Sequence, residues 1–369
     1  MPEIILQHVT KRFDKFVAVQ DLDLQIQNRG FITLLGPSGC GKTTTLRMIA
    51  GLETPTSGRI LIDGTPVFDS EKGINLPPNK RDIGFLFQNY ALWPHMTVYE
   101  NIAFGLEMLK WDKARIRKRV DELLALLKIE QFEKRYPAEL SGGQQQRVAI
   151  ARTLAPSPKV LFMDEPLSNL DAKLRQEMRT ELKRLHSDTN STFVYVTHDQ
   201  LEAMTLSTKV CLMDTGVLQQ YAPPLEIYGH PANLFVAEFV GNPTMNFIPA
   251  TVKSASGNRA SLSLLGYDAA FAAKAPLDGI KGDVVLGVRP EFLPIQPDGP
   301  LRGKTYSTLP AGMETTVKLT CGGAMLTSVV FGCVDYAVDT ELPLSIVGDN
   351  IALFDKASGK SVGFGSVTF

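Results

Sequence analysis

The glycine-rich segment at residues 36–43, GPSGCGKT, is the feature that most constrains what this chain can fold into. It follows an apolar run at residues 31–35 that is typical of a buried strand, and it precedes residues 44–50, which we expect to be helical. Glycines allow the tight bend that points successive backbone N–H groups at phosphate oxygens, and the following helix N-terminus adds its positive end. A G-x-x-x-x-G-K-[ST] segment between a strand and a helix therefore predicts a nucleotide-phosphate site in an α/β fold. The predicted phosphate-binding residues are Gly36, Pro37, Ser38, Gly39, Cys40, Gly41, Lys42, Thr43 and Thr44.

Side chains of this loop have separate predicted roles. Lys42 can reach the β- and γ-phosphates of a nucleotide, and the Thr43 hydroxyl can ligate Mg²⁺. Cys40 is interpreted as a small residue that sets the backbone spacing of the loop, and not as a nucleophile.

A pair of acids, Asp164 and Glu165, closes a second apolar run at residues 160–163. Two adjacent carboxylates at a strand end are costly in a fold unless a cation or a proton is bound there. We expect Asp164 to hold Mg²⁺ through its water shell and Glu165 to orient the attacking water as general base. A solvated acidic strand end is the alternative interpretation, and the phosphate loop makes it the weaker one.

A second candidate anion site is the segment LSGGQ at residues 140–144. A Ser-Gly-Gly turn at the start of a helix presents backbone N–H groups to an anion, although the same residues also suit an ordinary helix cap. One nucleotide does not need two such sites from one chain. We therefore expect the second site to bind the nucleotide held by another subunit.

The remaining pattern predicts two domains. Apolar runs at residues 160–163 and 193–196 alternate with helical segments that begin near Asp112 and Asp171, which indicates a mostly parallel sheet covered on both faces. After about residue 240 the charged fraction falls, and more than half of the 30 glycines follow. Short strand-like runs joined by glycine turns predict a small antiparallel barrel there. The expected division is residues 1–240 and residues 241–369.

Composition excludes several classes of function. The chain has 38 Lys and Arg against 39 Asp and Glu, a formal net charge of −1, which is unlike a sequence-independent nucleic-acid binder. No apolar run approaches the roughly 18 residues that a membrane-spanning helix needs, and we expect no secretory signal. Any membrane role is thus expected to come through a partner. The four cysteines form no CxxC pair, so neither a disulfide framework nor a zinc site is predicted.

With these motifs in view, residues 1–240 resemble the ATP-binding cassette (ABC) ATPases, whose motif set is present here in family order. The resemblance implies a P-loop α/β domain with a helical signature subdomain at about residues 90–155. It also implies a Q-loop residue that is both catalytic and metal-binding, Gln88, and a switch histidine, His198. The segments that carry the resemblance are 36–43 (Walker A), 87–90 (Q-loop), 140–144 (signature), 160–165 (Walker B), 168–171 (D-loop) and 197–199 (switch).

Further segments resemble one importer subgroup of that family, the maltose-type carbohydrate transporters. These segments are LSNLDAKLR at 167–175, VTHDQLEAMT at 196–205, PAN at 231–233, GNPTMNFI at 241–248 and GVRPE at 287–291. In this subgroup the tail is an OB-like regulatory barrel of the TOBE/MOBE type, which the resemblance places at residues 241–369. Residues 301–313 match the usual barrel sequence poorly.

The resemblance implies a homodimer that closes head to tail around two Mg-ATP. Each site would combine the phosphate loop, Gln88, Asp164, Glu165 and His198 of one chain with signature and D-loop residues of the other, namely Ser141, Gly142, Gly143, Gln144 and Asp171. Phe13 matches the position that stacks on adenine, and Phe16 is a nearby competitor. Other implied partners are two transmembrane permease subunits and, indirectly, an extracytoplasmic solute-binding protein, with this chain at the cytoplasmic face of the membrane.

Two alternatives accompany this interpretation. The nearer one is an importer ATPase for a polyamine, a metal or an oxyanion, because such subunits share the motifs of the first domain. The more distant one is a soluble cassette ATPase that acts on nucleic acid, which the net charge of −1 and the single cassette disfavour. In such importers the cargo touches the binding protein and the permease, so this chain does not specify the solute.

Overall fold

A computed structural model describes residues 3–277 and 279–369. The chain divides into two compact units, of which the first ends at Pro224 and the second begins at Leu225. The elements of the first unit, in chain order, are β1 Ile4–Phe13, β2 Phe16–Ile26, β3 Phe31–Leu35, α1 Lys42–Ala50, β4 Ser57–Ile62, β5 Thr65–Asp69, β6 Ile74–Asn75, β7 Ile83–Leu86, α2 Val98–Met108, α3 Lys113–Leu127, α4 Gly142–Leu154, β8 Val160–Asp164, α5 Ala172–Asp188, β9 Thr192–Val196, α6 Gln200–Leu206, β10 Lys209–Asp214 and β11 Val217–Ala222.

The centre of the first unit is a six-stranded sheet in the order β11-β10-β3-β9-β8-β7. Neighbouring strands run parallel except at the β10–β11 edge. Every residue of β3, β8 and β9 is buried, as expected for strands that are covered on both faces. The predicted parallel sheet is therefore confirmed.

Successive side chains of these strands enter two different cores. Phe31, Leu161 and Tyr195 pack in a cluster with the apolar faces of α2 to α5. Residues one position along each strand, such as Ile32 and Phe162, pack in a second cluster with α1 and a second sheet. That second sheet is antiparallel, with the order β2-β1-β4-β5-β6. The alternation arises because neighbouring residues of a strand point to opposite faces.

Strand register brings the functional segments to one edge of the central sheet. Asp164 at the end of β8 pairs with Val196 at the end of β9, and Val196 pairs with Leu34 of β3. The phosphate loop, Glu165 and His198 each follow one of these strand ends. Parallel strands thus deliver three distant segments to the same place, as is usual for ligand sites in α/β sheets.

The segment between β7 and β8 contains the helices α2, α3 and α4, where the sequence predicted a helical subdomain. The helix α3 begins near Asp112 as expected, and the Asp112 carboxylate caps it by accepting a hydrogen bond from the Arg115 amide at 2.9 Å. One face of α3 is apolar and buried, and it consists of Ile116, Val120, Leu123, Leu124 and Leu127. None of the described helices is both long enough and apolar enough to cross a bilayer.

The second unit is a barrel with an added sheet. Six strands close the barrel in the order β12-β13-β14-β21-β20-β15, which confirms the predicted barrel. A four-stranded sheet, β18-β17-β16-β19, was not predicted, and the poorly matching residues 301–313 lie within it and the turn that follows β16. The elements are α7 Pro224–Gly229, α8 Leu234–Phe239, β12 Asn246–Ser256, β13 Arg259–Leu264, β14 Tyr267–Ala273, β15 Gly282–Val288, β16 Leu301–Pro310, β17 Glu314–Cys321, β18 Ala324–Phe331, β19 Glu341–Leu344, β20 Ile351–Asp355 and β21 Ser361–Thr368.

The division between the units follows Pro224, at the start of α7, and the sequence-based expectation placed it at residue 240. Ala237 of α8 packs with Met245 and Phe354 of the second unit. The buried guanidinium of Arg289, which follows β15, donates hydrogen bonds to the carbonyl oxygens of Ala237, at 3.2 Å, and of Val240. A buried arginine at the C-terminal end of a helix satisfies carbonyl groups that the helix leaves open. These contacts explain why residues 225–240 belong with the barrel.

Candidate functional site

The phosphate loop requires glycine at two positions. Gly36 has φ +149°, and a Cβ atom there would lie 2.2 Å from the Met213 carbonyl oxygen. Gly41 has φ +100°, and its Cβ would lie 2.4 Å from the Ala18 carbonyl oxygen. Both contacts are with backbone, so a side chain at either position would have to displace the main chain. Gly41 also precedes α1 without a side-chain cap, which leaves the first-turn N–H groups of α1 for a ligand.

Lys42 lies inside the curve of this loop. Its ammonium group donates hydrogen bonds to the Gly36 and Pro37 carbonyl oxygens, each at 2.8 Å, and the residue is 5% exposed. Cys40 is buried beside it, with 3.7 Å between Sγ and the Lys42 Nζ. Burial raises the pKa of the Cys40 thiol, which agrees with its interpretation as a spacing residue.

Two of the three predicted metal residues, Thr43 and Asp164, meet at the start of α1, and the third, Gln88, contacts Ser168 instead. The Thr43 hydroxyl donates to the Asp164 carboxylate at 2.9 Å, and Asp164 is 3% exposed. The cation nearest to that carboxylate is the guanidinium of Arg47, at 3.3 Å. A hydroxyl and a buried carboxylate side by side are oxygen donors of the kind that Mg²⁺ prefers, so the residues present are suited to that ion.

Glu165 and His198 face each other across the ends of β8 and β9. His198 Nδ1 lies 3.4 Å from Glu165 Oε2. Glu165 has a left-handed backbone, φ +45°, and its amide donates to the Val196 carbonyl oxygen at 3.1 Å. The register of β8 and β9 thus fixes the distance between the expected general base and the expected switch histidine.

The Q-loop glutamine contacts the D-loop. Gln88 Nε2 donates to the Ser168 hydroxyl at 3.3 Å, and that hydroxyl donates to the Glu165 carbonyl oxygen at 2.9 Å. Asn169 Nδ2 donates to the Gln88 carbonyl oxygen at 3.1 Å. These bonds link the segment that follows β7 to the segment that carries Glu165.

The signature residues bond among themselves at the start of α4. Ser141 Oγ accepts from the Gln144 amide at 3.4 Å, and the Gln144 side chain accepts from the Ser141 amide at 2.9 Å. This reciprocal cap does not use the amides of Gly142 and Gly143. Amides in the first turn of a helix have no acceptor within the helix, so these two can bind a ligand. Asp171 likewise caps α5 by accepting from the Leu174 amide at 3.0 Å. The predicted contribution of these residues to a partner's nucleotide stays a prediction.

Two aromatic side chains are available near the loop for the nucleotide base. Phe13 is 44% exposed and Phe16 is 60% exposed, and the two residues pair in register where β1 meets β2. The Lys11 ammonium lies 4.6 Å from the centroid of the Phe13 ring. Both side chains are exposed, so the expectation that Phe13 stacks on adenine, with Phe16 as its competitor, stays a prediction.

A buried polar cluster behind His198 was missed by the sequence analysis. Glu202 is 3% exposed, and its carboxylate accepts from the Tyr195 hydroxyl at 2.7 Å and from the Thr197 hydroxyl at 2.6 Å. Burial raises the pKa of the Glu202 carboxyl. The spacing T-H-D-x-x-E at residues 197–202 is the signal that could have found it, because it places a carboxylate in the first turn of the helix that follows a strand.

The chain is similar to known proteins over nearly its whole length. Residues 19–168 match the family described as ABC transporter, and residues 241–293 match the MalK OB fold domain. The trehalose/maltose import ATP-binding protein MalK of Thermococcus litoralis is 44% identical over 375 residues, which cover 98% of this chain and 100% of that protein. The uncharacterized ABC transporter ATP-binding protein YurJ of Bacillus subtilis is 41% identical, again over 98% and 100% of the two chains.

Solved structures resemble the cassette part of the chain. CbiO1 from Clostridium perfringens, part of the ABC transporter complex cbiONQ, is 32% identical with a TM-score of 0.56, over 61% of this chain and 89% of that one. A dimeric ATP-binding cassette in a post-hydrolysis state, bound to ADP and Pi, is 33% identical with a TM-score of 0.52. That match covers 60% of this chain and 98% of the other.

Proposed function

The chain belongs to the ABC transporter family of ATPases, and we propose that two copies of it energise the import of a carbohydrate or a related solute. The family relation rests on the identity of 44% across the whole length of a MalK protein. The observation that carries the hydrolytic role is the meeting of two pairs at one sheet edge, Thr43 with Asp164 and Glu165 with His198.

Hydrolysis transfers the γ-phosphoryl group of ATP to water. Loop amides and Lys42 bind the phosphates, and Thr43 and Asp164 would hold Mg²⁺, which supplies charge neutralisation at the phosphates. Glu165 accepts the proton of the attacking water as its oxygen bonds to phosphorus, and the bond from phosphorus to the ADP oxygen breaks. His198 lies beside Glu165, where its imidazole can contact the γ-phosphate.

We propose further that each site is completed by the second copy. The first-turn amides of α4, at the exposed Gly142 and the neighbouring Gly143, would form an anion site that the chain's own phosphate loop does not require. The similarity to a dimeric cassette bound to ADP and Pi supports this arrangement. Two copies that close head to tail would place the signature residues of each against the nucleotide of the other.

Mixed dimers test the sharing of sites. Ser141→Arg and Lys42→Ala should each abolish ATP hydrolysis as homodimers, because both of their sites are damaged. A mixed dimer of the two has one site with both lesions and one intact site. Hydrolysis measured after mixing at varied ratios should therefore exceed the sum of the parents.

A crosslink separates unshared sites from shared sites that are strictly coupled. Ser38→Cys combined with Ser141→Cys should form an intermolecular disulfide in the presence of ATP, with Ser38→Cys alone as the matched control. No gain on mixing together with no crosslink would contradict shared sites.

The carbohydrate class and the membrane setting rest on the relatives and on the tail. The relative from Thermococcus litoralis is named for trehalose and maltose import, and CbiO1 is part of a transporter complex. We place this chain at the cytoplasmic face of the membrane, bound through the Gln88 region to two permease subunits that receive solute from an extracytoplasmic binding protein. The match of residues 241–293 to the MalK OB fold domain supports this subgroup.

Reconstitution tests the solute class. The complex is purified from native membranes by a tag on this chain, and its permeases and binding protein are identified. ATP hydrolysis in vesicles should rise when the binding protein carries a maltooligosaccharide or trehalose. Stimulation by a polyamine, a metal or an oxyanion instead would support the alternative importer class and overturn the carbohydrate assignment.

A further inference from the structure

One arginine of the first unit joins the D-loop to the segment that carries the switch histidine. Arg175 lies in the first turn of α5, and its Nη2 donates a hydrogen bond to the Leu170 carbonyl oxygen at 3.1 Å. The same guanidinium places Nη1 at 3.6 Å from Asp199 Oδ2. The Arg175 side chain is 32% exposed, so salt weakens this ion pair less than it would weaken a fully exposed one.

Asp199 and Glu202 hold the backbone on both sides of His198. Asp199 Oδ1 accepts from the amides of Leu201, at 2.8 Å, and Glu202, at 3.1 Å, which fixes the start of α6. On the other side, the Thr197 hydroxyl donates to the Glu202 carboxylate at 2.6 Å and accepts from the Asp199 amide at 3.0 Å. A shift of either acid would therefore move the backbone that aims the His198 ring.

The link from Arg175 to Glu202 is incomplete in this structure. Arg175 Nε is buried and has no hydrogen-bond acceptor among the described residues, and Glu202 Oε1 lies 3.9 Å from it. Both hydroxyl donors to Glu202 bond to the other oxygen, Oε2. An unsatisfied buried donor beside a desolvated carboxylate is costly, and a shift of less than 1 Å would pair the two groups.

The D-loop also contacts the backbone of the other catalytic residue. Ser168 donates to the Glu165 carbonyl oxygen at 2.9 Å. The D-loop therefore contacts the segment of Glu165 through Ser168 and the segment of His198 through Arg175. Any displacement of the D-loop acts on both sides of the Glu165–His198 pair.

We propose that Arg175 is a positioning residue that transmits the placement of the D-loop to His198 through Asp199 and Glu202. This inference rests on the proposed function, in which the D-loop faces the second copy across the nucleotide. Seating of the D-loop by the partner moves the Leu170 carbonyl and the Arg175 guanidinium together. The Arg175–Glu202 pair then closes, and His198 is held in its working position.

The first test replaces the guanidinium of Arg175, which contacts the D-loop and the segment after His198, by the single ammonium group of lysine. Arg175→Lys keeps the charge but cannot contact Leu170 and Glu202 at once. We expect kcat for ATP hydrolysis to fall about tenfold, because a small misplacement of a catalytic group is costly. We also expect KM and the affinity for ATP to stay within about twofold, since the phosphate loop is untouched. Arg184→Lys is the matched control, because Arg184 is exposed on the same helix and, among the residues that the structure describes, its ion pair is with Asp188.

The second test asks whether Arg175 acts through the buried acid. Glu202→Gln alone should lower kcat severalfold, and the double variant with Arg175→Lys should lose no more than the larger single loss, about tenfold, because both changes break one path. Multiplying losses in the double variant would overturn the inference. An unchanged kcat for Arg175→Lys would also overturn it. So would a loss of kcat that is accounted for by lost stability, seen as an equally lowered melting temperature in Arg175→Lys and Arg175→Ala.

One further control separates this inference from the proposed function. His198→Ala tests the switch histidine itself, independently of Arg175. If His198→Ala hydrolyses ATP at the normal rate, the assignment of the site is wrong. If His198→Ala loses turnover while the kcat losses of Arg175→Lys and Glu202→Gln multiply in the double variant, only the transmission through Arg175 is wrong.

Discussion

The proposed role of Glu165 depends on its backbone geometry. It is the first residue after β8, its left-handed φ of +45° turns the chain away from the strand, and its amide is tied to Val196 of β9. The side chain is 22% exposed and faces His198. A carboxylate held in this way is accessible to a water molecule yet fixed in position, which is what a general base requires.

Replacing Glu165 by glutamine should separate binding from turnover. Glu165→Gln keeps the size of the side chain but removes its ability to accept a proton, and loss of a general base costs about 10²–10⁴-fold in rate. We expect ATP affinity to be unchanged and the ATP-bound dimer to accumulate, as measured by equilibrium binding and by mass in solution. Glu177→Gln, an exposed site on α5, is the control. Near-normal steady-state hydrolysis by Glu165→Gln would refute the assignment.

At the scale of elements, the signature helix α4 packs closely on α5. A Cβ atom added at Gly143 would lie 2.5 Å from Leu174 Cδ2, whereas one at Gly142 would meet only Leu170 Cδ2, at 3.9 Å. The two glycines are adjacent in the motif but differ in what surrounds them. Gly143 allows the contact between the helices, and Gly142 leaves its amide accessible.

The two glycines should therefore respond differently to alanine. Gly143→Ala overfills the contact with Leu174, which typically destabilises a protein by about 1–3 kcal/mol. Gly142→Ala should change stability by less than about 0.5 kcal/mol. Urea unfolding of both variants, followed by circular dichroism, measures the difference. Equal stabilities would show that Leu174 adjusts without cost and that the close packing is not required.

At the scale of the whole molecule, the position of the unit boundary can be tested by truncation. A chain that ends at Pro224 retains every strand and helix of the first unit. A chain that ends at Val240 adds α7 and α8, and the buried Ala237 of α8 packs against Met245 and Phe354 of the second unit. Without that unit, the apolar side of α8 is exposed and the guanidinium of Arg289 no longer caps its carbonyl groups.

We expect both fragments to melt cooperatively and to bind ATP with an affinity within about threefold of the full chain, because each keeps the complete sheet and phosphate loop. The longer fragment should not be more stable than the shorter one, and it should bind more hydrophobic dye. Thermal melting, dye fluorescence and nucleotide titration make the comparison. A melting temperature several degrees higher for the longer fragment would place residues 225–240 with the first unit, as the sequence predicted.

The sequence by itself determined the features that depend on local backbone chemistry. The glycines of the phosphate loop, the capping acids Asp112 and Asp171 and the largely apolar strands were predictable because each depends on residues within a few positions. The order of the motifs also predicted the chemistry of Lys42, Asp164 and Glu165. These features need no knowledge of what packs against them.

Only the tertiary structure decided what the distant segments do to one another. Arg175, Asp199 and Glu202 are unremarkable as separate residues, and their relation appears only where α5 packs beside the start of α6. The extra sheet of the second unit and the association of α8 with the barrel were likewise not readable from local pattern. Such contacts join residues far apart along the chain, and packing and burial select them after local propensity has already been satisfied.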